Sequence, residues 1–81
     1  MENGWCVYVL ECKDGSFYTG VTNDIGGRMK KHASRKGSKY VARKGFGRLL
    51  KVKSCKNKSD ACKKEYWIKH LPRSEKLRAF D

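Results

Sequence analysis

Glu65 is the residue of this chain that is hardest to account for as packing. Wound at about 100° per residue, a helix from Asp60 to about His70 puts Ala61, Cys62 and Ile68 on one arc, and Glu65 falls inside it. A carboxylate within an apolar stripe is costly to bury unless it is paired or binds a cation. Two explanations stand side by side: a salt bridge to Lys64, Lys69 or an arginine, and a cation site. On an earlier helix Arg28 and His32 occupy positions i and i+4, on one flank beside Ile25 and Met29. Both can reach a single point above a sheet, although the same pair on a solvated flank would be ordinary. Tyr8 and Tyr18 complete the set. Each taken singly reads as core; together they share a face in one of two hairpin registers. With a three-residue loop and a bulge, Cys12 pairs with Ser16, Tyr8 lies opposite Gly20 and Tyr18 opposite Leu10. With a two-residue loop the tyrosines part to opposite faces. In the first register Gly20 leaves room above Tyr8, and Tyr8, Tyr18, Arg28, His32 and Glu65 should converge on one shallow cleft.

The elements that must position these residues follow from local chemistry. Residues 5–12, Trp-Cys-Val-Tyr-Val-Leu-Glu-Cys, are rich in β-branched and aromatic side chains and read as a strand. Lys13-Asp14-Gly15-Ser16 is turn chemistry, since Asp-Gly supplies the left-handed conformation of a tight hairpin, and residues 17–22 resume the strand. Asn23 or Asp24 caps a helix running to about Ala33. A basic break over residues 34–37 precedes a short helical turn over 38–44. Residues 47–55 alternate as a third strand, with Leu50 and Val52 on one face and lysines on the other. Ser59 is expected to cap the helix from Asp60, Pro72 stops it, and Ser74 caps a short terminal helix through Phe80. The order β-β-α-(α)-β-α-(α) predicts an α+β fold: a small mixed sheet of three strands with helices packed on it. At 81 residues the chain is expected to be a single domain over 1–81, burying only roughly 60% of its unfolded surface.

Charge narrows the partner. The chain carries a formal +12, and residues 28–81 hold nineteen basic and four acidic side chains, against one basic and four acidic before them. Such a one-signed surplus attracts polyanions. Lys30, Lys31, Arg35, Lys36, Lys39, Arg43 and Lys44 form the densest basic run and are the candidate nucleic-acid contacts. An anionic membrane is the weaker partner: no apolar run approaches about 20 residues, and Gly and Ser break the basic segments. Four cysteines without a secretory leader point to reduced thiols in a cytoplasmic setting. Their spacings, C-x5-C and C-x6-C, fall outside a zinc knuckle, so small buried side chains are the better reading of Cys6, Cys12, Cys55 and Cys62.

Val7-Tyr8, nine residues, Tyr18-Thr19-Gly20, Arg28 and His32 on the next helix, and Glu65 on a later one together resemble the GIY-YIG endonuclease superfamily, above all its small stand-alone bacterial members. The resemblance covers nearly the whole chain and implies a β-β-α-β-α core. It also implies a metal-dependent nuclease acting on nucleic acid, with DNA the expected substrate and DNA repair a plausible setting. Tyr8 and Tyr18 would be the motif tyrosines that help generate the attacking water, Gly20 the motif glycine, Arg28 the phosphate-steadying arginine, and His32 a polar helper. Glu65 would be the ligand of one divalent cation. A single carboxylate with several waters suits Mg2+ or Mn2+. The chain departs from the pattern in reading Cys6-Val7-Tyr8, without the first motif's glycine, and in having no asparagine after Asn57. No targeting segment is visible, so sequence selectivity is expected to be low or to come from a protein partner. The competing functions are a module on the same fold that binds DNA or RNA and cuts nothing, and a small subunit of a larger repair complex.

Overall fold

The computed structural model describes residues 4–80. Strands β1 (Cys6–Cys12) and β2 (Phe17–Thr22) form the hairpin; α1 (Ile25–Ala33) and α2 (Lys39–Lys44) follow, then β3 (Phe46–Ser54), α3 (Lys58–Lys69), α4 (Arg73–Lys76) and a 3-10 turn over Arg78–Phe80. The hairpin adopts the three-residue register: Tyr8 pairs with Gly20 and Leu10 with Tyr18. The loop closes through the Cys12 N–H to the Ser16 carbonyl at 2.8 Å and the Gly15 N–H to the Cys12 carbonyl at 2.9 Å, with Gly15 at φ 86°. Asp14 side-chain hydrogen bonds from Ser16, and its ion pair with Lys44 at 3.0 Å, fix the tip.

The sheet is antiparallel throughout, in the order β2-β1-β3, and not mixed. The crossover through α1 and α2 exists, and it leaves β2 and β3 running in the same direction. They are separated by β1, which pairs antiparallel with each. The reason lies in β1 itself. Residues 6–10 and Cys12 are buried without alternation, the pattern of a strand covered on both faces, which belongs at the centre.

β3 departs from simple alternation as well. The register slips between Val9 and Leu10, pairing Val9 with Lys51 and Leu10 with Leu49, so Leu50 is an extra residue. Leu49 consequently packs on one side of the sheet and Leu50 on the other, while Val52 stays 43% exposed.

The α1 cap is one of the two residues the sequence offered, and the caps of α3 and α4 lie earlier than the sequence suggested. Asp24 caps α1 by accepting from the Gly27 N–H. Asn57, not Ser59, caps α3 by accepting from the Asp60 N–H at 2.8 Å, while Asp60 accepts from the Lys56 N–H. This arrangement resembles a capping box and starts the helix two residues sooner. Ser74 lies within α4, whose N-cap position is Pro72 with no side-chain cap. Instead, the Lys76 ammonium donates to the Ile68 and Lys69 carbonyls, both at 2.9 Å, closing the end of α3.

Two apolar clusters flank the sheet. Tyr8, Leu10, Cys12 and Val41 gather Tyr18, Ile25, Met29, Phe46 and Leu49 under α1 and α2. Val7, Val9 and Ile68 gather Phe17, Val21, Leu50 and the terminal Leu77, Ala79 and Phe80 under α3. Among the described residues no helix is long and apolar enough to cross a membrane.

Candidate active site

The hairpin register puts Tyr8, Tyr18 and Gly20 on the face covered by α1 and α2. α1 lowers His32 onto this face, 1% exposed, where its Nε2 lies 2.8 Å from the Tyr8 hydroxyl. The three rings form one cluster: His32 meets Tyr8 edge-on at 5.9 Å between centroids and Tyr18 at 5.5 Å, and Phe46 stacks on its other side. Gly20 is required by close approach, because a Cβ there would stand 2.5 Å from the Tyr8 hydroxyl oxygen. Gly37 holds a comparable position against the imidazole, where a Cβ would lie 2.5 Å from Nδ1. That Nδ1 is buried and has no hydrogen-bond partner among the described residues.

Burial, helped by the charge of Arg28, holds His32 below its usual pKa and therefore neutral. Burial also raises the Tyr8 phenol, a shift that Tyr18 and the charge of Glu65 reinforce and Arg28 opposes. The pair is thus neutral at neutral pH, sharing one proton along the O···N line. The hydroxyl donates when the ring proton sits on Nδ1 and accepts when it sits on Nε2. Tyr8 is 1% exposed and so does not itself face solvent. Tyr18 is only half-buried, and among the described residues nothing hydrogen-bonds its hydroxyl. Arg28 is half-buried on the same side.

Glu65 arrives from the other layer. α3 covers the opposite face through Ala61 and Ile68, and Glu65 makes no hydrogen bond or ion pair with the other four residues. It is half-buried and pairs with Lys69 at 3.4 Å, one of the partners a salt bridge was expected to use. The Tyr8 phenol nevertheless lies within reach of its charge. Among the described residues no cluster of three or more His, Cys, Asp or Glu side chains could enclose a metal. A lone half-buried carboxylate with one long ionic contact is a hard oxygen donor that suits a largely hydrated Mg2+ or Mn2+ and not a soft ion.

The seven basic candidates, Lys30, Lys31, Arg35, Lys36, Lys39, Arg43 and Lys44, are all exposed along α1, α2 and the turn between them. Lys44 is partly committed to Asp14. All four cysteines are free thiols. Cys6 and Cys12 are buried as expected, and Cys6 fits where the motif has glycine by turning its thiol to the Thr22 carbonyl at 3.4 Å. Cys55 is half-buried, and Cys62 is exposed because α3 turns that flank outward, contrary to the expected arc.

The match to known proteins follows this geometry. A model of the GIY-YIG catalytic domain matches residues 4–78. The chain belongs to the GIY-YIG family. Within it, the UPF0213 protein BH0048 of Halalkalibacterium halodurans is 51% identical over 70 residues, covering 86% of this chain and 74% of that protein. The UPF0213 protein OB0043 of Oceanobacillus iheyensis is 44% identical over 81 residues, covering all of this chain and 94% of its own length. The solution structure of BH0048 superposes on this GIY-YIG domain with a TM-score of 0.55 at 48% identity, over 93% of this chain and 80% of that one. The α+β architecture of a three-stranded sheet with packed helices is therefore that of the family.

The GIY-YIG motif positions pointed to the tyrosines and Gly20 but not to Gly37, Phe46 or Tyr40, which stacks on Tyr18 at 5.9 Å. No signal in the sequence singled these out, since Gly37 and Phe46 matter because α1 brings the His32 ring against them, and Tyr40 because α2 brings it over Tyr18.

Proposed function

We propose that this chain is a metal-dependent endonuclease hydrolysing phosphodiester bonds of nucleic acid, with DNA the expected substrate and little sequence selectivity of its own. The observation carrying the proposal is the Tyr8–His32 hydrogen bond beside Tyr18 and Gly20, which sets the family's motif residues in one interlocked cluster. A core needs no buried phenol–imidazole pair with two glycines cleared around it.

In this reading Tyr18 faces the substrate, and its uncommitted hydroxyl orients the attacking water. Tyr8 and His32 act as positioning residues. They hold the Tyr18 ring from within, and their shared proton keeps the interior neutral. Arg28 steadies the phosphate, whose non-bridging oxygens gather charge as water adds and the ester oxygen leaves. Glu65, released from Lys69, would hold Mg2+ or Mn2+, which when bound offsets charge on the phosphate and the departing oxygen. The exposed lysines and arginines of α1 and α2 grip the flanking backbone.

The Glu65–Lys69 pair favours one rival, a module on the same fold that binds without cutting. Glu65→Gln separates them. For a metal ligand, cleavage with magnesium or manganese falls by roughly two orders of magnitude or more, about 3 kcal/mol of transition-state stabilisation. Mn2+ binding is lost as well, while metal-free affinity for nucleic acid holds or rises. A variant that melts early yet cuts normally removes the metal assignment. Tight binding without cleavage of any DNA or RNA by either protein favours the binding module.

A further inference from the structure

Beside Tyr18, on the outer side of the edge strand, lies a cavity of about 300 Å³ lined by Phe17, Tyr18, Thr19, Tyr40, Lys69 and Lys76. Three of these six residues are aromatic and two are cationic. Tyr40 stacks on Tyr18 with 27° between ring planes, yet remains 42% exposed. The Lys76 ammonium spends two of its three hydrogens on the end of α3, leaving one for a ligand. Among the described residues the Lys69 ammonium is tied only by the 3.4 Å pair with Glu65.

The strand register adds a further feature. Cys12 and Ser16 are a hydrogen-bonded pair, so Leu10–Tyr18 and Tyr8–Gly20 are too, and Phe17, Thr19 and Val21 alternate with them. The N–H and C=O of Thr19 therefore point away from β1, out of the edge of the sheet. Among the described residues no backbone or side-chain group answers them. Thr19 is 4% exposed and lines the cavity, so this donor–acceptor pair is sheltered as well as unanswered. Unpaired buried backbone groups are rare and costly.

We propose that this cavity is a subsite for one unpaired nucleobase of the substrate, adjacent to the bond that is cut. The base stacks on the Tyr18–Tyr40 pair, while Phe17, on the other face of the strand and covered by the Arg73 guanidinium 4.0 Å over its ring, closes the floor. Its Watson–Crick edge meets the Thr19 N–H and C=O, and its phosphate meets Lys69 and Lys76. Every base presents a donor beside an acceptor on that edge, so the subsite reads the absence of pairing and not the sequence. A base within a duplex has both its stacking faces and that edge occupied and does not enter. The substrate class is a strand with at least one unpaired nucleotide: a single strand, a flap or a junction. Only the place of this subsite beside the bond that is cut rests on the proposed nuclease reading; the binding itself is separable.

The test uses a short oligothymidylate with one central 2-aminopurine, the same sequence as a blunt duplex, and an abasic strand of equal length and charge, all without divalent metal. Stacking in the subsite quenches 2-aminopurine in the single strand and leaves the duplex signal unchanged. Loss of one base–aromatic stack weakens binding roughly 5- to 150-fold. Tyr40→Ala should therefore lose that factor on the single strand, lose nothing on the duplex, and regain it as Tyr40→Trp. The abasic strand makes the same comparison with the wild-type protein, whatever the variant does to folding, and should bind as weakly as the intact strand binds Tyr40→Ala. A strand of N3-methylthymine, its pairing edge blocked, should also bind weakly. Equal affinity of the intact and abasic strands, or an equal loss on strand and duplex in Tyr40→Ala, overturns the subsite even if the wild-type protein cuts DNA. Quenching that disappears with Tyr40→Ala, in a protein that cuts nothing with magnesium or manganese, upholds the subsite and overturns the nuclease.

Discussion

From the central strand, Val7 and Val9 meet Ile68 of α3 on one side of the sheet, while Tyr8 on the other meets His32 of α1 and the clearance left by Gly20. The first layer contains aliphatic groups whose stability is proportional to area removed from water. The second contains a phenol and an imidazole whose stability depends on one hydrogen bond and on two glycines staying glycine. A single strand thus has one side that sustains the fold and one side that holds a polar cluster at some cost in stability. The polar layer tolerates its orphaned Nδ1 because the aliphatic layer opposite is sound.

The largest effect on stability should come from the aliphatic side. Ile68 is 1% exposed, and Ile68→Ala should cost about 2–5 kcal/mol, read as a lower urea midpoint. On the polar side Tyr8→Phe keeps the ring and removes the hydroxyl, leaving His32 without a partner on either nitrogen. Leaving a buried polar group unpaired costs about 1–3 kcal/mol, and cleavage should fall although Tyr8 is buried away from solvent. If Tyr8→Phe cuts as well as the parent, the polar layer is merely packing and the contrast between the two faces collapses.

Acid sharpens the same contrast. His32 is held below its usual value, near about 6.5 in an unfolded chain, so between the two values the unfolded state binds the extra proton. Stability is therefore complete above about pH 6.5 and declines as pH falls toward the folded value. The thermal midpoint should drop between about pH 7.5 and 5.5, less so in His32→Gln; identical slopes would show that His32 is not the group responsible. The smallest effect lies at the end of α1, where Arg35 adopts φ 67°, a conformation that favours glycine. Arg35→Gly should stabilise by about 1 kcal/mol while weakening nucleic-acid binding, which separates folding from gripping at one residue.

The hairpin, the order of elements and the motif residues were legible in the sequence because turn chemistry and strand composition are local. What was not legible depended on partners chosen in space. β1 reads as equally able to lie at an edge or at the centre until both neighbours are known, so a mixed sheet was expected where an antiparallel one formed. Leu50 and Val52 alternate on paper, and the bulge at Leu50 cancels the alternation. Asn57 and Ser59 are both competent caps, and Asp60 decides between them by reaching back to the Lys56 N–H. The sequence identified Glu65 as out of place in its stripe and offered a salt bridge or a cation. The Lys69 pair realises the first, and the second rests on the proposed chemistry. Tyr40 carried no signal at all, and Thr19 stood out only as the middle of the Tyr18-Thr19-Gly20 motif and not as a cavity wall, since a cavity is a property of the gap between elements.

The Lys76 ammonium that closes α3 gives the far end of the chain an influence on the centre. α3 carries Glu65 and Lys69, and its last turn is held by a residue seven positions beyond Lys69, reached around Pro72. The segment after Pro72 is consequently a clasp and not a trailing end. Whatever pulls on it, whether a fused tag, a bound protein or an acetyl group on Lys76 itself, would unlatch the helix that carries the charge and one wall of the base cavity together.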